Sequence, residues 1–342
     1  MAKVFGQQLT KREILDRVGN IGALAGVTRM VREDGRANGL RLYEVVSGSL
    51  RFSVHIDKCM DLGSLYYRGM PMHFLARPGQ MQDHWYSDGD NAPRSICGGM
   101  LFTCGLSNVG PRQDLPGGRT LPQHGYLRNS PAVTDGARCY WEGDDYVIEL
   151  YGEMREAELF GENLVLRRTI STRLGEDVIH LHDEIENEGP ESAPLMIMYH
   201  CNAGYPLLDA DSRLCIEPLE TRCRDQIAED GRRAEDLRAF GAPVTGYPEQ
   251  VFYHRLPAED GVCRAVLQNP RLGLELSIGF SVAELPYLIH WKCRAAGDYV
   301  TGIEPSNCHP EGQQRERENG TLRILAPGEI VRNDLWFSVR DL

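Results

Sequence analysis

The chain has 342 residues and an acidic composition, with 37 lysines and arginines against 49 aspartates and glutamates and a formal net charge of −12. This charge argues against nucleic acid or an anionic membrane as the main partner, because both would repel the protein. Hydrophobic residues make up 42% of the chain, which is enough to build a substantial core. No apolar run reaches the ~18 residues of a membrane-spanning helix, and the first residues lack the apolar segment of a secretory signal.

The ten cysteines form no CxxC pair. Single thiols in apolar segments are typical of a reducing compartment rather than of a disulfide framework, so we expect a cytoplasmic protein. Their spacing also lacks the paired ligands of a zinc site, so we expect no metal. Four of the cysteines lie near candidate site segments: Cys59, Cys104, Cys201 and Cys308.

The predicted elements begin with one helix near the N-terminus. Thr10-Lys-Arg-Glu13 has the pattern of a capping box, Ile14 and Leu15 supply apolar contacts, and Gly19 is a candidate stop. We therefore expect an N-terminal helical extension over residues 1–24 and a single domain over residues 25–342.

The rest of the chain is predicted to be β. Ser47-Gly-Ser49 lies between two apolar segments and indicates a hairpin. Two polar stretches, 77–93 and 225–248, are predicted to be long loops or short helices over a sheet. Many short strands without βαβ alternation favour an all-β fold of two large, mainly antiparallel sheets with few short helices. The predicted strands span 40–46, 50–56, 147–151, 164–172, 178–186, 195–201, 213–218, 250–255, 263–268, 273–278, 287–292, 299–304, 320–325 and 329–339.

Two of these strands carry side chains suited to proton transfer. The apolar strand 195–201 brings His200 to its end, and the strand 299–304 ends at Glu304. A carboxylate at the end of an apolar strand is costly to bury unless it is paired or functional. Together the two residues are a candidate acid–base pair, although His200 alone is also typical of a core histidine bonded to the backbone.

A third segment, Gln123-His-Gly-Tyr-Leu-Arg128, follows a glycine-rich stretch over residues 98–110. Glycines permit close approach of the backbone to a ligand or to another strand. His124 and Arg128 are therefore candidates to bind the hydroxyl groups of a substrate. The alternative is that His124 satisfies a loop and that Arg128 pairs with a surface carboxylate.

Trp291 and Lys292 lie side by side on an apolar strand. An indole face can stack on the C–H groups of a pyranose, so both residues are candidates for sugar binding, although Trp291 suits an ordinary core equally well. The chain contains no P-loop, GxGxxG, GxSxG or HExxH motif, which weakens nucleotide-binding, hydrolase and zinc-protease functions.

The three segments together resemble the aldose 1-epimerase (galactose mutarotase-like) superfamily, and more closely its DUF4432-type bacterial branch. Gln123-His-Gly-Tyr-Leu-Arg128 resembles the QHGxxR segment of the hexose-6-phosphate mutarotase branch. Tyr199-His-Cys-Asn-Ala-Gly-Tyr205 resembles the strand and turn that carry the catalytic acid. Gly302-Ile-Glu-Pro305 resembles the strand that carries the catalytic base. The resemblance covers most of the chain, roughly residues 25 to 340.

This resemblance implies a galactose mutarotase-like β-supersandwich and a set of residue roles. His200 would be the general acid and Glu304 the general base. His124, Arg128 and Asn202 would bind substrate. The implied reaction interconverts the α and β anomers of a sugar or sugar derivative, and it needs no cofactor because only protons move.

Two other functions stay open at this stage. A non-catalytic carbohydrate-binding protein would keep the sugar-binding residues and tolerate loss of Glu304. A sugar epimerase or lyase on the same fold would use the His–Glu pair to abstract a carbon-bound proton. In each case the expected partner is a small carbohydrate, with no nucleic acid and no membrane, and a homodimer is left open.

Overall fold

The computed structural model describes residues 2–82 and 92–342 of the chain. Strands dominate this part of the protein. Those of the first half are β1 (Ala2–Val4), β2 (Gln7–Leu9), β3 (Ala25–Val31), β4 (Arg41–Ser47), β5 (Leu50–His55), β6 (Asp61–Tyr67), β7 (Met70–Pro71), β8 (Phe74–Leu75), β9 (Gly98–Gly99), β10 (Leu101–Leu106), β11 (Gln113–Asp114), β12 (Thr120–Leu121), β13 (Thr134–Glu142) and β14 (Asp145–Ala157).

The second half continues the same pattern with longer strands. They are β15 (Asn163–Arg173), β16 (Val178–Asn187), β17 (Ala193–Gly204), β18 (Arg213–Cys215), β19 (Glu220–Cys223), β20 (Gln250–Arg255), β21 (Val262–Asn269), β22 (Leu274–Ser281), β23 (Tyr287–Ala295), β24 (Asp298–Ser306), β25 (Arg323–Leu325) and β26 (Ile330–Asp341).

Helices are few and short. Those described are α1 (Lys11–Leu15), α2 (Gln226–Ala234) and α3 (Gln313–Asn319), with 3-10 turns at Ile21–Ala23, Gly35–Ala37, Ala92–Arg94, Pro116–Gly118 and Leu127–Asn129. No helix in the described part of the chain is long and apolar enough to cross a membrane.

Antiparallel pairing organises the strands into three main sheets. The largest has the order β13-β14-β15-β16-β26-β22-β21-β18. The second has the order β10-β17-β24-β23-β20-β19, with β25 also paired to β17, and the third has the order β3-β4-β5-β6-β7. The pairs β1–β2, β8–β9 and β11–β12 complete the described sheets. The predicted all-β class with large antiparallel sheets is confirmed.

The local predictions that depend on neighbouring residues agree closely with the structure. Thr10 caps α1 through a reciprocal capping box with Glu13, and the turn after Ser47 joins β4 to β5 as a hairpin. The helix ends at Leu15, so Gly19 is not its stop. The hairpin β1–β2 precedes the helix in this region, and the division at residue 24 stays a prediction.

Two strands without regular alternation, β10 and β13, were not predicted. Every residue of β10 is buried, so its sequence has no polar period, and β13 is too polar to indicate a strand. The predicted strand 320–325 begins late, at Arg323, because α3 ends at Gly320 in the left-handed conformation. The predicted irregular stretch 225–248 contains α2. Of the stretch 77–93, residues 83–91 lie outside the described residues.

Strand β17 separates the main core from the site. Its side chains alternate between two apolar clusters, as a strand requires. Ile197 and Tyr199 belong to the main core, whereas Met196 and Met198 belong to a second cluster on the other face. Because both faces of the strand are covered, its sequence is a continuous apolar run. His200 continues the series on the face of the second cluster.

A fully buried charged network lies behind this strand. Arg168 of β15 binds Asp61 at 2.7 Å and Asp183 at 2.7 Å. Asp183 accepts a hydrogen bond from the Tyr199 hydroxyl at 2.8 Å, and Asp61 accepts one from the backbone N–H of Thr103 at 2.8 Å. Asp61 begins β6 and is buried.

Candidate active site

One face of the seven-stranded sheet forms the floor of a cavity of about 1060 Å³. Strands β10, β17, β24, β23 and β20 contribute alternate side chains to this floor, and loops form its walls. The volume suits a small ligand. The sequence-predicted site residues that line the cavity are His124, His200, Asn202, Trp291 and Glu304.

Strand register brings His200 and Glu304 face to face. The neighbouring pairs are Cys201 with Ile303 and Met198 with Ser306, so His200 lies opposite Glu304 in the same register. The distance from Nε2 of His200 to Oε1 of Glu304 is 3.1 Å. The ring does not meet the carboxylate in hydrogen-bond geometry, and Glu304 Oε1 has no hydrogen-bond partner among the described residues.

Burial makes both members of the pair favour their neutral forms. The side chains of His200 and Glu304 are only 16% and 2% exposed, and a low-polarity environment disfavours any charge. Burial lowers the pKa of His200 to about 4. Burial also raises the pKa of Glu304 well above its usual range, with a further increase from the charge of Glu249. Both shifts favour the neutral imidazole and the protonated carboxyl over the charged forms.

Gly302 makes room for the carboxylate. A Cβ atom at this position would lie 2.0 Å from Oε1 of Glu304 and 3.1 Å from Cβ of Trp291. The side chain of Glu304 therefore folds back over the glycine two residues earlier on β24. Any larger residue would push the carboxylate away from His200.

His124 approaches the pair from the loop between β12 and the 3-10 turn Leu127–Asn129. Its Nδ1 accepts a hydrogen bond from the backbone N–H of Gly110 at 3.4 Å, which assigns the ring proton to Nε2. Burial, together with the charges of His200 and Arg128, lowers the pKa of His124 to about 3. The ring centre lies 6.3 Å from that of His200. His124 is therefore a neutral N–H donor beside the pair.

Asn202 lines the cavity, whereas Arg128 lies behind its lining. The side-chain N–H groups of Asn202 donate to the backbone carbonyls of Gly99 and His200 at 3.2 and 3.0 Å, which leaves the amide oxygen as an acceptor, and the Asn202 side chain partly offsets the lowered pKa of His200. Arg128 does not line the cavity. Its buried guanidinium donates to Oγ of Ser95 at 3.2 Å and lies 5.9 Å from the ring centre of Phe102.

Trp291 and Lys292 lie on opposite faces of β23, because consecutive strand residues alternate. The Trp291 ring lines the cavity, with its centre 5.4 Å from that of His200 at an interplanar angle of 73°. Lys292 is fully buried on the other face, where Nζ donates to Glu235 at 3.1 Å and lies 5.8 Å from the Phe240 ring centre. The structure does not bring Lys292 into the cavity.

No group of three or more His, Cys, Asp or Glu side chains suited to a metal ion occurs within residues 2–82 and 92–342. The four cysteines near the site are free thiols. Burial raises the pKa of Cys104 and Cys201 well above the usual range, so both are protonated and are poor metal ligands.

The sequence matches the family described as "Domain of unknown function (DUF4432)" over residues 37–339. The chain belongs to this family. No curated protein sequence matches it.

Solved structures show that this DUF4432 member has the fold of galactose mutarotase-like proteins. A proposed aldose 1-epimerase from Klebsiella pneumoniae superposes with a TM-score of 0.86 at 20% identity, covering 98% of this chain and 88% of that chain. A galactose mutarotase-like protein from Clostridium acetobutylicum gives 0.63 at 14% identity, covering 94% and 100%. A galactose 1-epimerase from Lactobacillus acidophilus gives 0.59 at 12% identity, covering 93% and 99%. At these identities the likeness establishes the fold.

Several charged residues of the cavity wall were not predicted from the sequence of this DUF4432 member. They come from loops and strand ends, where no periodic pattern marks them. A polar side chain in such a segment has the same local appearance whether it faces solvent or a cavity. The charged wall residues are Arg36, Arg77, Arg94, Arg112, Arg224, Glu249, Asp298 and Glu311.

Proposed function

We propose that this protein is an aldose 1-epimerase-like isomerase that interconverts the α and β anomers of a sugar or sugar derivative. The observation that carries the proposal is the 3.1 Å separation between His200 Nε2 and Glu304 Oε1 on the floor of a cavity. The anomeric hydroxyl and the ring oxygen of an aldose are both bonded to C1. An acid and a base this close together can therefore serve both oxygens at once.

The neutral pair contains the one proton that the reaction requires. Transfer of the carboxyl proton of Glu304 to Nε2 of His200 produces carboxylate and imidazolium without any change in total protons. Glu304 then removes the proton of the C1 hydroxyl while His200 protonates the ring oxygen. The C1–O5 bond breaks, and C1 becomes a carbonyl. This step returns the pair to protonated carboxyl and neutral imidazole.

Ring closure reverses these transfers. After rotation about the C1–C2 bond, the O5 hydroxyl attacks the other face of the carbonyl and loses its proton to His200. Glu304 returns its proton to the former carbonyl oxygen. The pair is then carboxylate and imidazolium again, and the anomeric configuration has changed. Only protons move, so the proposed reaction requires no cofactor.

Three neighbouring residues suit sugar binding in this proposal. His124 offers a neutral N–H donor, Asn202 offers an amide oxygen, and the Trp291 indole offers an apolar face for pyranose C–H groups. A small carbohydrate is thus the proposed partner. A cytoplasmic location is also part of the proposal, because ten free thiols are compatible with a reducing compartment.

The first experiment is NMR saturation exchange between α and β anomers over a panel of aldoses. Wild type is compared with Glu304→Gln and with the control Glu184→Gln, which removes a carboxylate from a surface ion pair with Arg332. We expect Glu304→Gln to slow exchange by about 100- to 10,000-fold and Glu184→Gln to leave it unchanged.

Other outcomes separate the alternatives. Full activity in Glu304→Gln would overturn the assignment of the base. Sugar binding without faster exchange in wild type would favour a carbohydrate-binding protein. Incorporation of solvent deuterium at a carbon atom would favour a sugar epimerase or lyase, because mutarotation leaves carbon-bound hydrogens in place.

A further inference from the structure

A chain of three side chains runs along the cavity wall beside the His–Glu pair. Glu249 immediately precedes β20, which pairs with β23 through Val251 and Trp291. Its Oε2 accepts a hydrogen bond from Nε1 of Trp291 at 2.9 Å. Its Oε1 lies 3.0 Å from a guanidinium nitrogen of Arg224. One carboxylate therefore connects the indole to a cation across the wall.

Arg224 is itself held in place. Its Nε bonds Asp225 at 2.8 Å, and its backbone N–H donates to the Val251 carbonyl at 3.0 Å. Asp225 is the N-cap of α2 and accepts from the backbone N–H of Ala228. The guanidinium is therefore anchored both to the neighbouring strand and to the start of a helix. Glu249 cannot change rotamer without breaking a bond to Arg224 or to Trp291.

The group of Glu249, Arg224 and Trp291 contacts His200 and acts electrostatically on Glu304. The Trp291 ring packs edge-on against the imidazole of His200. The rotamer of the indole therefore limits the orientations that the imidazole ring can adopt. The charge of Glu249 contributes to the raised pKa of Glu304, whereas the charge of Arg224 acts in the opposite direction. Both effects are moderated by solvent, because Glu249 is 49% and Arg224 30% exposed.

We propose that Glu249, anchored by Arg224, is a positioning residue that fixes the Trp291 indole against His200. This inference rests on the proposed function and extends it to residues that the sequence does not mark. Glu249 has two separable roles in this arrangement. Its oxygen orients the indole, and its negative charge acts on the carboxyl.

Three substitutions separate the two roles of Glu249, the orientation of the indole and the effect of its charge. Glu249→Gln keeps an acceptor oxygen for the indole N–H and removes the charge. Glu249→Leu removes both, and Trp291→Phe keeps an aromatic ring and removes the donor. The surface variant Glu184→Gln is the matched control for loss of a carboxylate that is paired with an arginine.

We expect the alkaline limb of the pH–rate profile to move to lower pH in Glu249→Gln, because loss of the charge allows Glu304 to ionise more easily. We expect kcat to fall about tenfold in Glu249→Leu and Trp291→Phe, the effect of one hydrogen bond to a charged group. The double variant Glu249→Leu/Trp291→Phe should be no slower than the single variants, since they remove the same bond.

Two NMR measurements make the test independent of turnover. The indole N–H resonance of Trp291 should shift in Glu249→Leu and stay near its wild-type position in Glu249→Gln. The ¹³C-carboxyl titration of Glu304 should move to lower pH in Glu249→Gln and be unchanged in Glu184→Gln. An unmoved titration in Glu249→Gln, or an indole resonance unaffected by Glu249→Leu, would overturn the inference. Failure of wild type to exchange the anomers of any sugar would instead overturn the proposed function.

Discussion

At the scale of single residues, the pair His200 and Glu304 is characterised by burial that favours the neutral form of each group, a state with one transferable proton. Burial disfavours the imidazolium of His200 and the carboxylate of Glu304 alike. Catalysis requires the state that contains this one proton, because one member must donate while the other accepts.

The pH dependence of anomer exchange follows from this requirement. His200 has a pKa lowered to about 4, so as the pH falls through that value the pair gains a second proton and loses its base. As the pH rises through the raised pKa of Glu304, the pair loses its only transferable proton. We expect kcat/KM to show a plateau around neutral pH with an acid limb near pH 4. A single acid limb at the ordinary histidine value would contradict this prediction.

Gly302→Ala tests the position of the Glu304 carboxylate. The added Cβ would lie 2.0 Å from Oε1, so the carboxylate must rotate away from His200. A misplacement of about 1 Å can lower the rate about 100-fold, and we expect a loss of this order in kcat. Unfolding in urea should show whether the variant stays folded. Gly19→Ala is the control outside the cavity, where no atom lies within 4 Å of the added Cβ.

At the scale of elements, a buried ionic network binds two strands of the cavity floor, β10 and β17, on the side opposite the cavity. The Tyr199 side chain points away from the cavity and bonds Asp183, while Asp183 is bound by Arg168. Arg168 also binds Asp61, which accepts from the Thr103 backbone beside Phe102 on β10. The network thus connects the large sheet to the strands that carry the cavity floor.

Removal of Arg168 tests this connection. Arg168→Met leaves two buried carboxylates without their cation, and we expect the free energy of unfolding to fall by about 3–5 kcal/mol. Urea denaturation measures the change. The control is Arg332→Met, which breaks a surface ion pair in which the arginine is 57% exposed and should cost at most about 1 kcal/mol. Equal losses of unfolding free energy in the two variants would show that the buried network stabilises the fold no more than a surface ion pair does.

At the scale of the whole molecule, the N-terminal segment packs into the same core as the large sheets. Ile14 of α1 and Val4 of β1 belong to the cluster that contains Tyr199. The backbone of Lys3 approaches the turn at Gly175 so closely that a Cβ there would lie 2.1 Å from the Lys3 carbonyl oxygen. Residues before position 25 thus contribute to the packing of the sheets.

Ile14→Ala is expected to lower the free energy of unfolding by about 2–5 kcal/mol, because the side chain is fully buried and leaves a cavity. Leu15→Ala is the control one position away, since Leu15 is 40% exposed. Thermal unfolding should show one transition in both variants if the segment and the sheets unfold together. An unchanged midpoint in Ile14→Ala would indicate that the segment is an independent extension.

The sequence by itself determined the features that depend on neighbouring residues. The capping box at Thr10, the hairpin at Ser47 and most alternating strands are visible in it because turn chemistry and side-chain period are local. The three motif segments also carried the resemblance to the family. The catalytic and binding roles of His124, His200, Asn202 and Glu304 stay predictions, although these residues line one cavity.

Only the tertiary structure decided which of the candidate side chains meet. Strand register places His200 opposite Glu304 across 104 positions of the chain, and no local pattern encodes that register. Strand parity sends Lys292 to the face opposite Trp291, and packing places Arg128 behind Phe102 rather than in the cavity. Glu249 accepts a hydrogen bond from Trp291, which lies 42 positions later in the chain. Long-range pairing creates these contacts, and the pKa of each buried group follows from the neighbours it meets there.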